Sequence, residues 1–168
     1  MNANRNILIA VDDSEAMQRA VAYVAMMIGG KEGFRVRLVH VLPPLPPELM
    51  EFGGAENPGV EEEKEAAIHD AQARWLKDAE ATAAPVFENA KAILRQARIP
   101  MRSVTTYCRP AVPGENVVTD LLEDARTNAC GTVVIGRESF TGLRRLFGHH
   151  FADELVRQGH GLTIWVVE

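Results

Sequence analysis

The sequence predicts an α/β fold: a three-layer αβα sandwich around a five-stranded parallel sheet in the order 3-2-1-4-5. Three observations lead there. Short apolar runs alternate with helical patterns along all 168 residues, with no internal repeat and no break in composition, so 1–168 reads as a single domain. Most of the runs are nearly continuous, as strands covered on both faces are. Right-handed crossovers between parallel strands then stack helices on both sides of the sheet.

Asn6 to Val11 is the first strand, ended by Asp12-Asp13-Ser14-Glu15. Ser14 suits a helix N-cap, because its hydroxyl can accept from an early backbone N–H. Ala20, Val21, Val24, Ala25 and Ile28 recur at helical spacing, and Gly29-Gly30 closes that helix. Arg35 to Val41 is the second strand. Pro43-Pro44-Leu45-Pro46-Pro47 then forbids regular structure, and a loop is expected to about Pro58-Gly59. A loop of that length in a compact domain is more often functional or mobile than idle. From Glu61 to Ala97 the composition favours helix, with Trp75, Leu76, Ala79 and Ala83 on one side. Pro85 predicts a kink or two abutting helices there. The segment within 43–97 is thus a long loop and a helical insertion.

Met101 to Tyr107 reads as a weaker, alternating strand suited to a sheet edge, followed by a loop at Arg109 to Gly114. Glu115 to Asn128 carries the stripe Val117, Val118, Leu121, Leu122 and Ala125. Thr132 to Ile135 is the fourth strand; Phe151, Leu155 and Val156 mark the last helix, and Leu162 to Val167 the last strand.

Composition excludes several classes. The net charge of −5 opposes sequence-independent nucleic-acid binding, which needs basic surface. No run reaches the roughly 18 apolar residues of a membrane span. The polar start Met1-Asn2-Ala3-Asn4-Arg5 enters a strand directly, which predicts no signal peptide and a cytoplasmic protein. Cys108 and Cys130 lack metal or redox spacing and read as two reduced structural thiols.

The chemistry concentrates at Val133 to Phe151. An apolar strand breaks at Gly136, and a loop rich in small residues and arginine precedes the last helix. In an open α/β sheet such a loop stands at the carboxyl edge, where ligands bind. Backbone N–H groups, a helix N-terminus and the guanidinium groups of Arg137, Arg144 and Arg145 together favour an anion such as phosphate. The strand order places Asp12 and Gly136 at the same switch point.

These residues resemble the universal stress protein family. The likeness rests on Ile7-Leu8-Ile9-Ala10-Val11-Asp12-Asp13-Ser14, Val39-His40-Val41, Val134-Ile135-Gly136-Arg137 and Thr141-Gly142-Leu143-Arg144-Arg145-Leu146. It implies a small, usually dimeric, non-enzymatic stress protein, and many members bind ATP or AMP, with magnesium accompanying ATP. It implies nucleotide contacts at Asp12, through the backbone of Val41, and at Gly136, while Arg137 is added for the fit of a guanidinium to phosphate. The family's binding mark is Gly, two residues, Gly, nine residues, Gly, then Ser or Thr. Here the second position holds Ser139 and the third His149, followed by His150, with Gly148 one place early. A left-handed backbone at Ser139 would cost roughly 1–2 kcal/mol relative to glycine, while its hydroxyl could donate to a phosphate. A loop shortened by one residue would let Gly148 and His149 serve where Gly and Ser normally do.

Two functions follow. One is an adenine-nucleotide-binding protein with its site at Asp12, Val41, Gly136, Arg137, Ser139, Gly148, His149 and His150. The other is a family member with a degenerate phosphate loop, acting as a dimeric interaction module, in which Ser139 and His149 fill the phosphate position. No metal site is expected: adjacent His149 and His150 point apart, and no acid or Cys completes a set. No nucleophile with a partnered histidine occurs, so no catalytic residue is assigned, although slow ATP hydrolysis stays open. A phosphoryl-accepting receiver domain would need an aspartate and a lysine where Tyr107-Cys108-Arg109 and Trp165-Val166-Val167 stand. Leu162 to Val167 is an apolar edge strand, which predicts a two-fold homodimer through it.

Overall fold

A computed structural model describes residues 4–50, 58–112, 115–137 and 150–168. Its five strands are β1 (Asn6–Ala10), β2 (Arg35–Leu42), β3 (Val104–Pro110), β4 (Thr132–Gly136) and β5 (Thr163–Val167), paired in the order β3-β2-β1-β4-β5. Every pairing is parallel. The helices are α1 (Glu15–Ile28), α2 (Pro58–Gln96), α3 (Val117–Thr127) and α4 (Phe151–Gln158).

Side-chain alternation sorts the strands onto two cores. Ile7, Ile9, Val36 and Leu38 face α1 and α2, where Val21, Val24, Phe87 and Leu94 meet them. Leu8, Ala10, Val39, Val41, Val133 and Ile135 face α3 and α4, against Leu121, Leu122, Phe151 and Leu155. The stripes expected on α1 and α3 are buried throughout. Val156 on α4 instead faces solvent. Cys108 packs on the first core and Cys130 lies in the second, so the sheet separates the two free thiols.

Three expectations need correction. Pro85 does not split its helix: α2 runs unbroken for 39 residues, about 58 Å at the α-helical rise. Pro85 and Ala81 are both exposed, so the carbonyl that loses its partner faces water. Ala83, Val86, Phe87 and Ala90 are buried around them and anchor the helix on the sheet at either side of the proline. The third strand starts later than Met101, because Met101–Ser103 forms a 3-10 turn in which the Ser103 hydroxyl donates to the Pro100 carbonyl at 2.6 Å. It also ends later, absorbing Arg109 and Pro110, since an edge strand accepts a proline.

Candidate functional site

β1 and β4 are hydrogen-bonded neighbours, with Ile9 opposite Val134. Their carboxyl ends therefore open side by side. The Val11 N–H donates to the Val39 carbonyl at 2.8 Å, the last bond joining β1 to β2 before the chain turns away. Val41 stands two residues further along β2. In a strand the N–H and C=O of one residue share a side, and alternate residues repeat it. The Val39 carbonyl points to β1, and the Leu42 carbonyl points the other way, accepting from Ala111 at 3.1 Å. Val41 thus turns its N–H and C=O into the space above the end of β1. Its side chain is buried in the core beneath α3 and α4.

Asp12 is 6% exposed. Its Oδ1 accepts from the Ser14 N–H at 3.0 Å and from the Ser14 hydroxyl. The Ser14 Oγ in turn accepts from the Met17 N–H at 3.1 Å, which caps α1. The local sequence Asp-x-Ser thus makes the tight exit from β1 and starts the helix in one device. The neighbouring Asp13 is exposed.

His40 lies on the opposite face of β2, 2.7 Å by Nδ1 from the Val11 carbonyl. A carbonyl only accepts, so Nδ1 carries the proton. Its ring stands edge-on to Phe87. His40 thus packs beneath the end of β1 and closes it from that face.

Gly136 ends β4, buried and opposite Val167. The Arg137 N–H donates to the Val167 carbonyl at 2.7 Å. The Arg137 guanidinium meets Glu168 at 2.9 Å, with both side chains mostly exposed. His150 precedes α4 without capping it and pairs with Asp153 at 3.6 Å in open solvent. Glu154, the other acid of that first turn, accepts from Asn116 and Gln158, both at 2.7 Å. The structure thus brings Asp12, Val41, Gly136 and Arg137 to one edge. Ser139, Gly148 and His149, with Arg144 and Arg145, lie outside the described residues.

Two buried acids escaped the sequence reading. Asp124 of α3 forks with Arg37 of β2 at 2.7 and 2.9 Å. Asp120, one turn earlier, meets Arg109 of β3 at 2.8 Å. The hydrogen bonds that Arg37 donates to Asp124 raise its pKa against the opposing effect of burial. The available signal was the i, i+4 spacing of the two acids alongside the apolar stripe of α3. Burial pushes the thiol pKa up at both cysteines, with Asp124 adding to it at Cys130 and Glu80 at Cys108.

No group of three or more metal-binding side chains occurs among the described residues, and no helix there is long and apolar enough to cross a membrane. The family model described as the universal stress protein family matches residues 3–161. No curated protein matches the sequence. Among solved structures, the hypothetical protein MJ0577 is similar at a TM-score of 0.62 and 16% identity, over 98% of this chain and 95% of that one. A universal stress protein in complex with cAMP is similar at 0.61 and 14% identity, over 99% of each chain. The universal stress protein from Archaeoglobus fulgidus in complex with dAMP is similar at 0.54 and 17% identity, over 97% of each chain.

Proposed function

The chain belongs to the universal stress protein family, and from that premise we propose that it is a non-enzymatic protein that binds ATP or AMP where β1 and β4 end. The observation that carries this reading is the aim of the Val41 backbone into the hollow above β1. One N–H and one C=O on a rigid central strand match the donor and acceptor edge of adenine. Asp12 stands beside them with a buried carboxylate suited to ribose hydroxyls. Gly136 leaves room for the sugar-phosphate to approach the end of β4, and Arg137 can exchange its solvent-exposed Glu168 for a phosphate. Ser139, Gly148, His149 and His150 are assigned to the phosphates by position in the sequence. Adenine nucleotides in two structural relatives support the assignment. With ATP, magnesium would be held mainly by the phosphates themselves.

Calorimetry with AMP, and with ATP plus magnesium, tests this. Saturable binding of AMP at one site per chain, and of ATP at that same site, is expected, lost in Gly136→Val. Absence of heat from both nucleotides at millimolar concentration would leave the interaction-module reading in its place.

The second part of the proposal is a homodimer through 162–167. β5 is an edge strand, and its half-buried Ile164, Trp165 and Val166 adjoin the core. Thr163 donates to Gly131, and the Val167 carbonyl accepts from Arg137, so both face β4. By alternation, Ile164 and Val166 turn their N–H and C=O outward. Val166→Pro removes one outward donor without touching a bond to β4, and is expected to convert the dimer to monomer in sedimentation. A wild-type monomer at micromolar concentration would refute the pairing.

A further inference from the structure

We propose a second anion site at the amino-terminal edge of the sheet, for a ligand carrying a chain of two or more phosphate groups. Two hollows adjoin there, of about 280 and 720 Å³, and Arg35, Arg102 and Ser103 line both. Volumes of this order are those of small-molecule pockets. The first hollow adds Arg37, and the second adds Lys31 and Arg98. Five cationic side chains thus line the pair, against a single acid, Glu32. In a chain where acids outnumber bases 23 to 18, this concentration is opposite in sign to the whole.

The state of those cations separates structural from available charge. Asp124 neutralises Arg37, whose guanidinium also lies over the Tyr107 ring at 4.7 Å. Lys31 donates to the Met27 carbonyl. No described residue gives the guanidinium groups of Arg35, Arg98 or Arg102 a hydrogen bond or an ion pair. Arg98 is also held at φ 61°, just after α2, where glycine or asparagine is the usual residue. That turn is an ordinary way for a helix to end, as Ala129 at φ 50° after α3 shows, and it sets Arg98 on the wall of the second hollow with Arg35 and Arg102.

Guanidinium forks match the oxygens of phosphate. Because Arg35 and Arg102 stand on the wall common to both hollows, a ligand reaching into each must be anionic at more than one point along its length. A phosphate chain, inorganic or carried by a nucleotide, meets that requirement. The site lies at the opposite end of the strands from Asp12 and Gly136, so both could be filled at once.

The test is calorimetry of the full chain with inorganic tripolyphosphate. Saturable binding is expected, weakened about tenfold or more in R35Q/R98Q/R102Q. All three side chains are exposed, so the thermal midpoint should hold. R19Q/R74Q/R157Q, which removes the same charge elsewhere, should leave affinity near wild type. If the first triple variant also lowers ATP stoichiometry by one, nucleotides are occupants; if only tripolyphosphate is lost, the inorganic chain is. The proposal fails if tripolyphosphate gives no heat at millimolar concentration, if the two triple variants behave alike, or if citrate binds as tightly.

Discussion

Arginine serves opposite purposes in the seam under α3 and at the ends of the sheet. In the seam, Arg37 and Arg109 meet acids that are about 90% or more buried, in ion pairs of 2.7 and 2.8 Å. At the carboxyl edge, Arg137 meets Glu168 with 64% and 74% of the side chains exposed. At the amino-terminal edge, Arg35, Arg98 and Arg102 meet no described partner. A partner drawn from the buried core makes an arginine part of the fold. A partner that water can replace leaves it available to a ligand. The same residue type therefore carries different information according to what lies opposite.

Removing the acid from the seam tests the first half most severely. Asp124→Ala strands the guanidinium of Arg37 in a largely buried position, which should cost about 3 kcal/mol of stability in urea unfolding. Arg37→Met with Asp124→Leu should recover most of that loss, because two apolar groups leave no orphaned charge. A cost under about 1 kcal/mol for Asp124→Ala would place this pair with the exposed ones. AMP affinity at the cleft between β1 and β4 is expected to be unchanged in the double variant.

Asp12 sits between the two categories, since it shapes the exit from β1 and also borders the cleft. Asp12→Ala removes the acceptor for two Ser14 groups and should cost about 1–2 kcal/mol. Asp12→Asn keeps an acceptor oxygen and should cost less, while weakening nucleotide binding in calorimetry. If both variants bind AMP like the wild type, the role of Asp12 is confined to the turn.

The legible part of this molecule was the part fixed by periodicity. Continuous runs such as Ile7 to Val11 and Val133 to Ile135 can only be central strands, and the stripe on α3 can only face a core. Strand order then placed Asp12 and Gly136 together. What escaped was pairing between distant residues: nothing near Arg37 in sequence points to Asp124, 87 residues away. Pro85 leaves α2 a single helix because it sits on the solvent side, and burial is a tertiary property. The amino-terminal hollows were invisible for the same reason, since Arg35 opens β2 while Arg98 and Arg102 come from the connection between α2 and β3.

The cysteines extend the contrast to a neutral group. Burial favours the protonated thiol, so the folded pKa of Cys130 lies above its unfolded value. That contribution is complete below the ordinary thiol pKa, and falls away as pH rises past it, where the unfolded chain ionises first. Stability should therefore decline as pH rises past the ordinary thiol pKa of about 8.5, with a shallower decline in Cys130→Ala. An identical slope in the variant would assign the decline elsewhere. At about pH 8, alkylation of Cys130 should follow global unfolding, whereas half-exposed Cys108 reacts sooner.

The smallest effect on stability decides most about the cleft. Arg137→Gln removes an exposed pair and should change unfolding free energy by under about 0.5 kcal/mol. Its effect on binding should be far larger, because a guanidinium that leaves Glu168 for a phosphate exchanges a screened contact for a charge-assisted one. AMP affinity is expected to fall about tenfold. Glu168→Gln should do the reverse, freeing Arg137 and tightening AMP slightly. If neither substitution moves the affinity, Arg137 belongs to the surface and the phosphate must rely on backbone N–H groups after β4. If Arg137→Gln destabilises the fold as much as Asp124→Ala does, exposure is no guide to which arginines are available.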